Sequence, residues 1–256
     1  MTVKTRWYET DSRFIPGHYQ PATLIDLALS RDIDSHRLLR GTGLFHEDIL
    51  AGQTRLSPQQ FLSLIGNSRR LLGADDSSFL FGQRLLPGHY GPASHALRHA
   101  QNLHQALDTM VQQQALLSPL AAPQLLLDEH HAYLYWQDTC GAAEQWRFLL
   151  EASMTSLVAM SQWLSGQRLP WECSLSFAEP RYVEQYWVHL GEHTQFQRPL
   201  DMMRIPREYL AQPWPGASAT AGQVARQQAQ EQIEQLGFAS SVLGCLYRYL
   251  QTHVRQ

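Results

Sequence analysis

With 256 residues and 44% apolar side chains, the chain can bury roughly three quarters of the surface it would expose unfolded, which excludes a disordered tail. A net charge of −3, without any Lys/Arg cluster, excludes a domain that draws its affinity from neutralising phosphates. No apolar run reaches the roughly 18 residues of a spanning helix, and the polar stretch 1–13 has no signal-peptide core.

One large domain or two small ones is the expectation. Cys140, Cys173 and Cys245 are scattered and odd in number, so they read as reduced, buried thiols in a cytoplasmic protein and not as a disulfide framework or zinc site. Residues 1–17 read as irregular. A helical pattern begins at Pro21, carries Leu24, Leu27 and Ala28 on one face, and runs to Leu38 and Leu39 before Gly41 and Gly43. Ser57-Pro58-Gln59-Gln60 is a helix start: a capping Ser, Pro in the first turn and Gln three residues after Ser. Phe61, Leu64, Ile65, Leu71 and Leu72 form the buried stripe of that helix, which stops near Gly73. Further helices are predicted over 77–86, 93–100 and 102–117, with a tight loop at 87–92, so everything up to about 118 reads as helix and turn.

The period then changes. Leu125–Glu129 and Ala132–Trp136 read as a hairpin turning at His130-His131. A strong helix is predicted over 145–165, an alternating strand over 171–177, a helix over 180–190 and a final strand or pair of strands over 196–205. The fold class is therefore α+β: an N-terminal helical half, then a ββαβαβ half with an antiparallel sheet, then a C-terminal helical linker. The linker has a Gln-rich helix over 220–235, and after Gly237 an amphipathic helix carrying Phe238, Val242, Leu243, Leu246, Tyr249 and Leu250.

Five short segments occur in a telling order: Leu39-Arg40-Gly41-Thr42-Gly43-Leu44, Leu56-Ser57-Pro58-Gln59-Gln60, Phe81-Gly82-Gln83-Arg84-Leu85-Leu86-Pro87, His89-Tyr90-Gly91-Pro92 and Leu103-His104-Gln105-Ala106-Leu107. With Phe177-Ala178-Glu179-Pro180, Phe196 and Leu210, the series resembles the N-terminal effector domain of AraC/XylS transcription regulators of the "arabinose-binding type", over roughly 20–215. The resemblance implies an effector-binding domain at 1–215 (helical 20–118, α+β 119–215). It implies a linker helix and the start of a DNA-binding domain at 216–256. It also implies a small-molecule effector, a homodimer, no membrane contact, and DNA contact only through a C-terminal domain with two helix-turn-helix units. Phe238–Arg255 is similar to the first helix of that domain, and no helix-turn-helix pattern with a basic recognition helix occurs within the chain. The alternative is a stand-alone carrier of a lipid-like or haem-like ligand without a role on DNA.

Effector-binding candidates come from two places. His89 and Tyr90 sit in a Pro/Gly-bounded loop, offering an imidazole and a phenol, though a packed turn explains them equally. Tyr135, Trp136, Trp146 and Trp171 belong to an aromatic-rich second half, where core packing competes with the lining of an apolar pocket. His189 and His193 have metal-ligand spacing, but Gly191 ends their helix and no third ligand is evident, so no metal and no cofactor is expected. Asp75-Asp76 reads as a helix cap, and His130-His131 as a solvated turn. No Gly-x-Ser-x-Gly, Gly-x-x-x-x-Gly-Lys or His-Glu-x-x-His occurs, so the chain is not expected to be an enzyme.

Overall fold

In the first half of the computed structural model, which describes residues 7–253, short helices follow a minimal strand. In order come β1 (Ile15–Pro16), α1 (Gln20–Leu29), α2 (Ser35–Leu39), α3 (His46–Leu50) and β2 (Arg55–Leu56), with β1 paired antiparallel to β2. These two strands correct the all-helical reading of the first 118 residues, because two residues are too few to show an alternating period. The helix expected to run on to Leu39 is broken after Leu29. Asp32 adopts φ 59°, and the Asp34 carboxylate starts α2 by accepting from the His36 and Arg37 amides.

Helix α4 (Pro58–Leu72) begins with the predicted capping box. Ser57 Oγ accepts from the Gln60 amide at 3.2 Å, and Gln60 Oε1 accepts from the Ser57 amide at 3.1 Å. The helix buries Phe61, Leu64 and Ile65 and ends at Gly73, whose φ of 56° suits glycine. Next are α5 (Ser77–Leu85), α6 (Pro92–Arg98), α7 (Leu103–Gln112) and α8 (Gln114–Leu117). The single helix expected over 102–117 is two, because the chain leaves helical geometry at Gln113.

The second half follows the predicted order: β3 (Ala121–Leu127), β4 (His131–Asp138), α9 (Trp146–Ser165), β5 (Glu172–Ser174), α10 (Val183–His189) and β6 (Met202–Pro206). In space the sheet runs β3-β4-β6-β5, antiparallel throughout. Asp128 shapes the hairpin by accepting from the His130 and His131 amides and the Tyr133 hydroxyl, and these bonds hold its carboxyl down at about 2. Ala132, Leu134 and Trp136 of β4 point into the core and alternate with Tyr133 and Tyr135. Register places Leu134 beside Met203, and Met203 beside Cys173. The strand expected over 171–177 shrinks to three residues, since Leu175 and Phe177 bond to the loop at Gln195 and Gln197 instead of to a strand.

The two halves meet where α5 crosses α9. A Cβ on Gly82 would fall 2.5 Å from the Ala152 carbonyl oxygen, so the backbones touch and glycine is required there. Helix α11 (Ala219–Leu236) lies along α6 through Gly222, Ala225, Ala229 and Ile233, and α12 (Val242–His253) follows. Phe238, expected on the last helix, precedes it and packs against Tyr8 and Phe14 at ring distances of 5.4 and 5.2 Å. The Tyr8 backbone bridges Ser240 and Val242, and its hydroxyl donates to the Pro119 carbonyl. One continuous core extends from Tyr8 to Ile233.

Candidate functional site

A cleft of about 1520 Å³ separates the two halves. One wall is the end of α2 and the outer face of α4. The other is the loop after β4 and the first turns of α9, with Tyr182 at the side. The walls come together at Gly66, where a Cβ would lie 3.2 Å from the Gln145 amide nitrogen. Arg69 closes the same gap, donating from Nη1 to the Glu144 carbonyl at 2.6 Å and to Gln145 Oε1 at 2.7 Å.

Glu151 forms the floor. It sits in α9 among Leu150, Ala152 and Met154 and is only 4% exposed, so its charge needs partners. Ser78 Oγ of α5 donates to it at 2.6 Å, Arg147 Nε at 2.9 Å one turn away, and Tyr182 at 3.2 Å, while the Tyr186 hydroxyl makes a further short bond. Burial, then the Glu151 charge, pushes the Tyr182 phenol up to about 12 and the Tyr186 phenol further still. Both phenols therefore stay protonated and act as donors. Arg147 also lies 4.1 Å over the Phe177 ring. One carboxylate thus ties α5, α9 and α10 together beneath the cleft.

On the helical wall, Asn67 Nδ2 donates to the Leu38 and Arg40 carbonyls, both at 2.8 Å, pinning the end of α2 to α4. Arg70 donates to Asn67 Oδ1. Asp76 occupies the cap position of α5, but its side chain makes no capping bond. Instead Asp76 pairs with Arg31 at 2.9 Å and Asp75 with Arg181 at 3.3 Å, which corrects the reading of this pair as a cap.

The six residues predicted from sequence do not line this cleft. His89 rims a separate hollow of about 380 Å³ beside Trp163, with Nε2 3.0 Å from the His18 carbonyl. Its neighbour Tyr90 is fully buried against Tyr19, and burial raises its phenol. Trp136 faces the core from β4, whereas Tyr135 is half-buried on the opposite face. Trp146 opens α9, half-buried. Trp171 is buried and donates its indole N–H to Ser161 Oγ at 3.1 Å. His89 and Tyr90 lie together, with rings 5.3 Å apart. His189 stacks on Phe79 and bonds to Gln83, and among the described residues no three His, Cys, Asp or Glu side chains gather as metal ligands would. The residues that sequence reasoning passed over are Arg147 and Glu151. Their signal was a charged pair four residues apart on an otherwise apolar helix.

A family model described as the arabinose-binding domain of AraC transcription regulator, N-term, matches residues 33–214. The ornithine utilization regulator of Pseudomonas aeruginosa is 24% identical over 241 residues, covering 93% of this chain and 70% of the relative. The crystal structure of the transcriptional regulator CdpR from Pseudomonas aeruginosa aligns over 80% of this chain and 60% of that chain, with 17% identity and a TM-score of 0.47. Among the described residues no helix is long and apolar enough to cross a membrane.

Proposed function

We propose, from the premise that the chain belongs to the family of N-terminal arabinose-binding domains of AraC transcription regulators, that it senses a small effector in the cleft above Glu151 and passes the signal to a DNA-binding region through α11. The observation that carries this reading is the floor itself. Glu151 joins α5, α9 and α10, so a ligand touching Arg147 or Tyr182 bears on both halves at once. A ligand that binds one arrangement of the halves tenfold better than another shifts their ratio tenfold, about 1.4 kcal/mol. The 24%-identical relative is named for ornithine utilization, which supports a metabolite of that size as the signal. The effector domain is taken as 1–215 and the linker as 216–256, with action on cytoplasmic DNA as a homodimer, since a two-fold protein matches paired half-sites.

A thermal-shift screen of amino acids, polyamines and organic acids tests the site, run on the wild-type chain and on Ser63→Trp, which fills the cleft from the exposed face of α4. A saturable rise in melting temperature that disappears in the filled variant is expected. The same rise in both proteins would place the ligand elsewhere and end the cleft assignment. Sedimentation equilibrium should give twice the mass of the 256-residue chain.

A further inference from the structure

We infer that the cleft takes an anion: a metabolite bearing carboxylate or phosphate oxygens, gripped by Arg40 and Arg70 on the α4 side. This rests on the cleft being the effector site and adds the chemical class. Five guanidinium groups line the cleft (Arg37, Arg40, Arg69, Arg70 and Arg147) against three carboxylates. Two of those carboxylates are already engaged, Glu151 by its four donors and Asp75 by Arg181. The whole chain carries a net charge of −3, so this positive concentration is local to the cleft.

The guanidinium groups on the helical wall form no ion pair among the described residues. Arg69 and Arg70, among the described residues, bond only to neutral oxygens, those of Glu144's backbone, Gln145 and Asn67. Among the described residues, the Arg37 and Arg40 side chains have no hydrogen-bond or ionic partner. A concave surface lined with one sign of charge focuses its field on a ligand of the other sign, and a planar guanidinium grips two oxygens of a carboxylate or phosphate at once. The placement is also built, because Asn67 fixes the backbone at Arg40 while its own Oδ1 holds Arg70. A neutral sugar finds less here, since the Tyr182 face is taken by Arg147, 5.3 Å from its centroid, and the floor carboxylate is saturated.

Calorimetric titration of the full chain tests this with citrate, L-glutamate and pyrophosphate as anionic probes. Putrescine, L-arabinose and a short single-stranded oligonucleotide serve as comparators, all at matched ionic strength. Saturable binding of at least one small anion is expected, weakened about tenfold or more by Arg40→Gln and by Arg70→Gln. Arg84→Gln, at the hollow beside His89, should leave it unchanged. Citrate and L-glutamate against pyrophosphate then separate a carboxylate ligand from a phosphate one. If putrescine or arabinose binds, is lost in Ser63→Trp, and no anion binds at millimolar concentration, the anion class falls while the cleft reading stands. If anions bind but ignore Ser63→Trp, the cleft reading falls and this inference with it. Equal weakening by Arg84→Gln, or preference for the oligonucleotide over every small anion, also overturns it.

Discussion

Replacing Glu151 by alanine strands four donors at once. Arg147 is about one-third exposed on its side chain, so water recovers part of its loss, and the charged hydrogen bond is worth roughly 2 kcal/mol. The Tyr186 and Ser78 hydroxyls are buried and cannot recover, which adds roughly 1 kcal/mol each, while the half-buried Tyr182 hydroxyl turns to water and adds little. The total is about 4 kcal/mol. Glu151→Gln keeps the shape and an acceptor but loses the ion pair, so it should cost about half as much. Urea unfolding followed by tryptophan fluorescence at neutral pH measures both. With a slope of about 3 kcal/mol/M, the midpoint should fall by about 1.3 M for the alanine variant. A loss below about 1 kcal/mol, or equal losses for alanine and glutamine, would refute the view that this carboxylate organises the three helices.

Two further outcomes follow from packing and burial. Gly82→Ala should destabilise by about 2 kcal/mol although alanine is the better helix former, because its Cβ meets the Ala152 carbonyl at 2.5 Å and the Thr155 side chain at 2.8 Å. Gly66→Ala, meeting only the Gln145 side-chain amide at 3.2 Å and no backbone, is the control, and equal melting temperatures for the two variants would contradict the close crossing of α5 and α9. Burial pushes the Cys140 thiol up to about 11 and the Cys173 thiol up to about 12, so at pH 8 about one in a thousand or fewer of either is thiolate. Both should react with a disulfide reagent only after unfolding, and rapid labelling of either in the native protein would count against their burial.

The sequence made the backbone order of the second half legible because its residue types carry a period even where, as at β5, the paired strand is only three residues long. The ββαβαβ order, the hairpin at His130-His131 and the capping box at Ser57 all appear where residue type alone places them. What stayed hidden depends on contacts between distant residues. The paired β1 and β2 have two residues each, and Phe238 continues a helical spacing yet is drawn off the helix by Tyr8 and Phe14. Aromatic content marked Trp136 and Trp171 as pocket candidates, but the same property buries both in the core. The cleft is lined by residues from Thr10 to Tyr182, and its arginines are ordinary solvated charges until the fold sets them on one concave wall. Only the Arg147–Glu151 pair carried a local sign, a carboxylate on an apolar stripe.

The bridge between Tyr8 and Ser240–Val242 also sets a timetable for synthesis. Tyr8 leaves the ribosome roughly 230 residues ahead of its neighbours at Ser240–Val242, so it waits some tens of seconds at about 5–20 residues per second. During that interval the Tyr8 and Phe14 rings have no Phe238 to cover them, and the newborn chain presents a sticky edge to whatever holds it. Sealing that edge therefore waits until residues 238–242 have been made, and a protein cut at residue 215 would leave it permanently open.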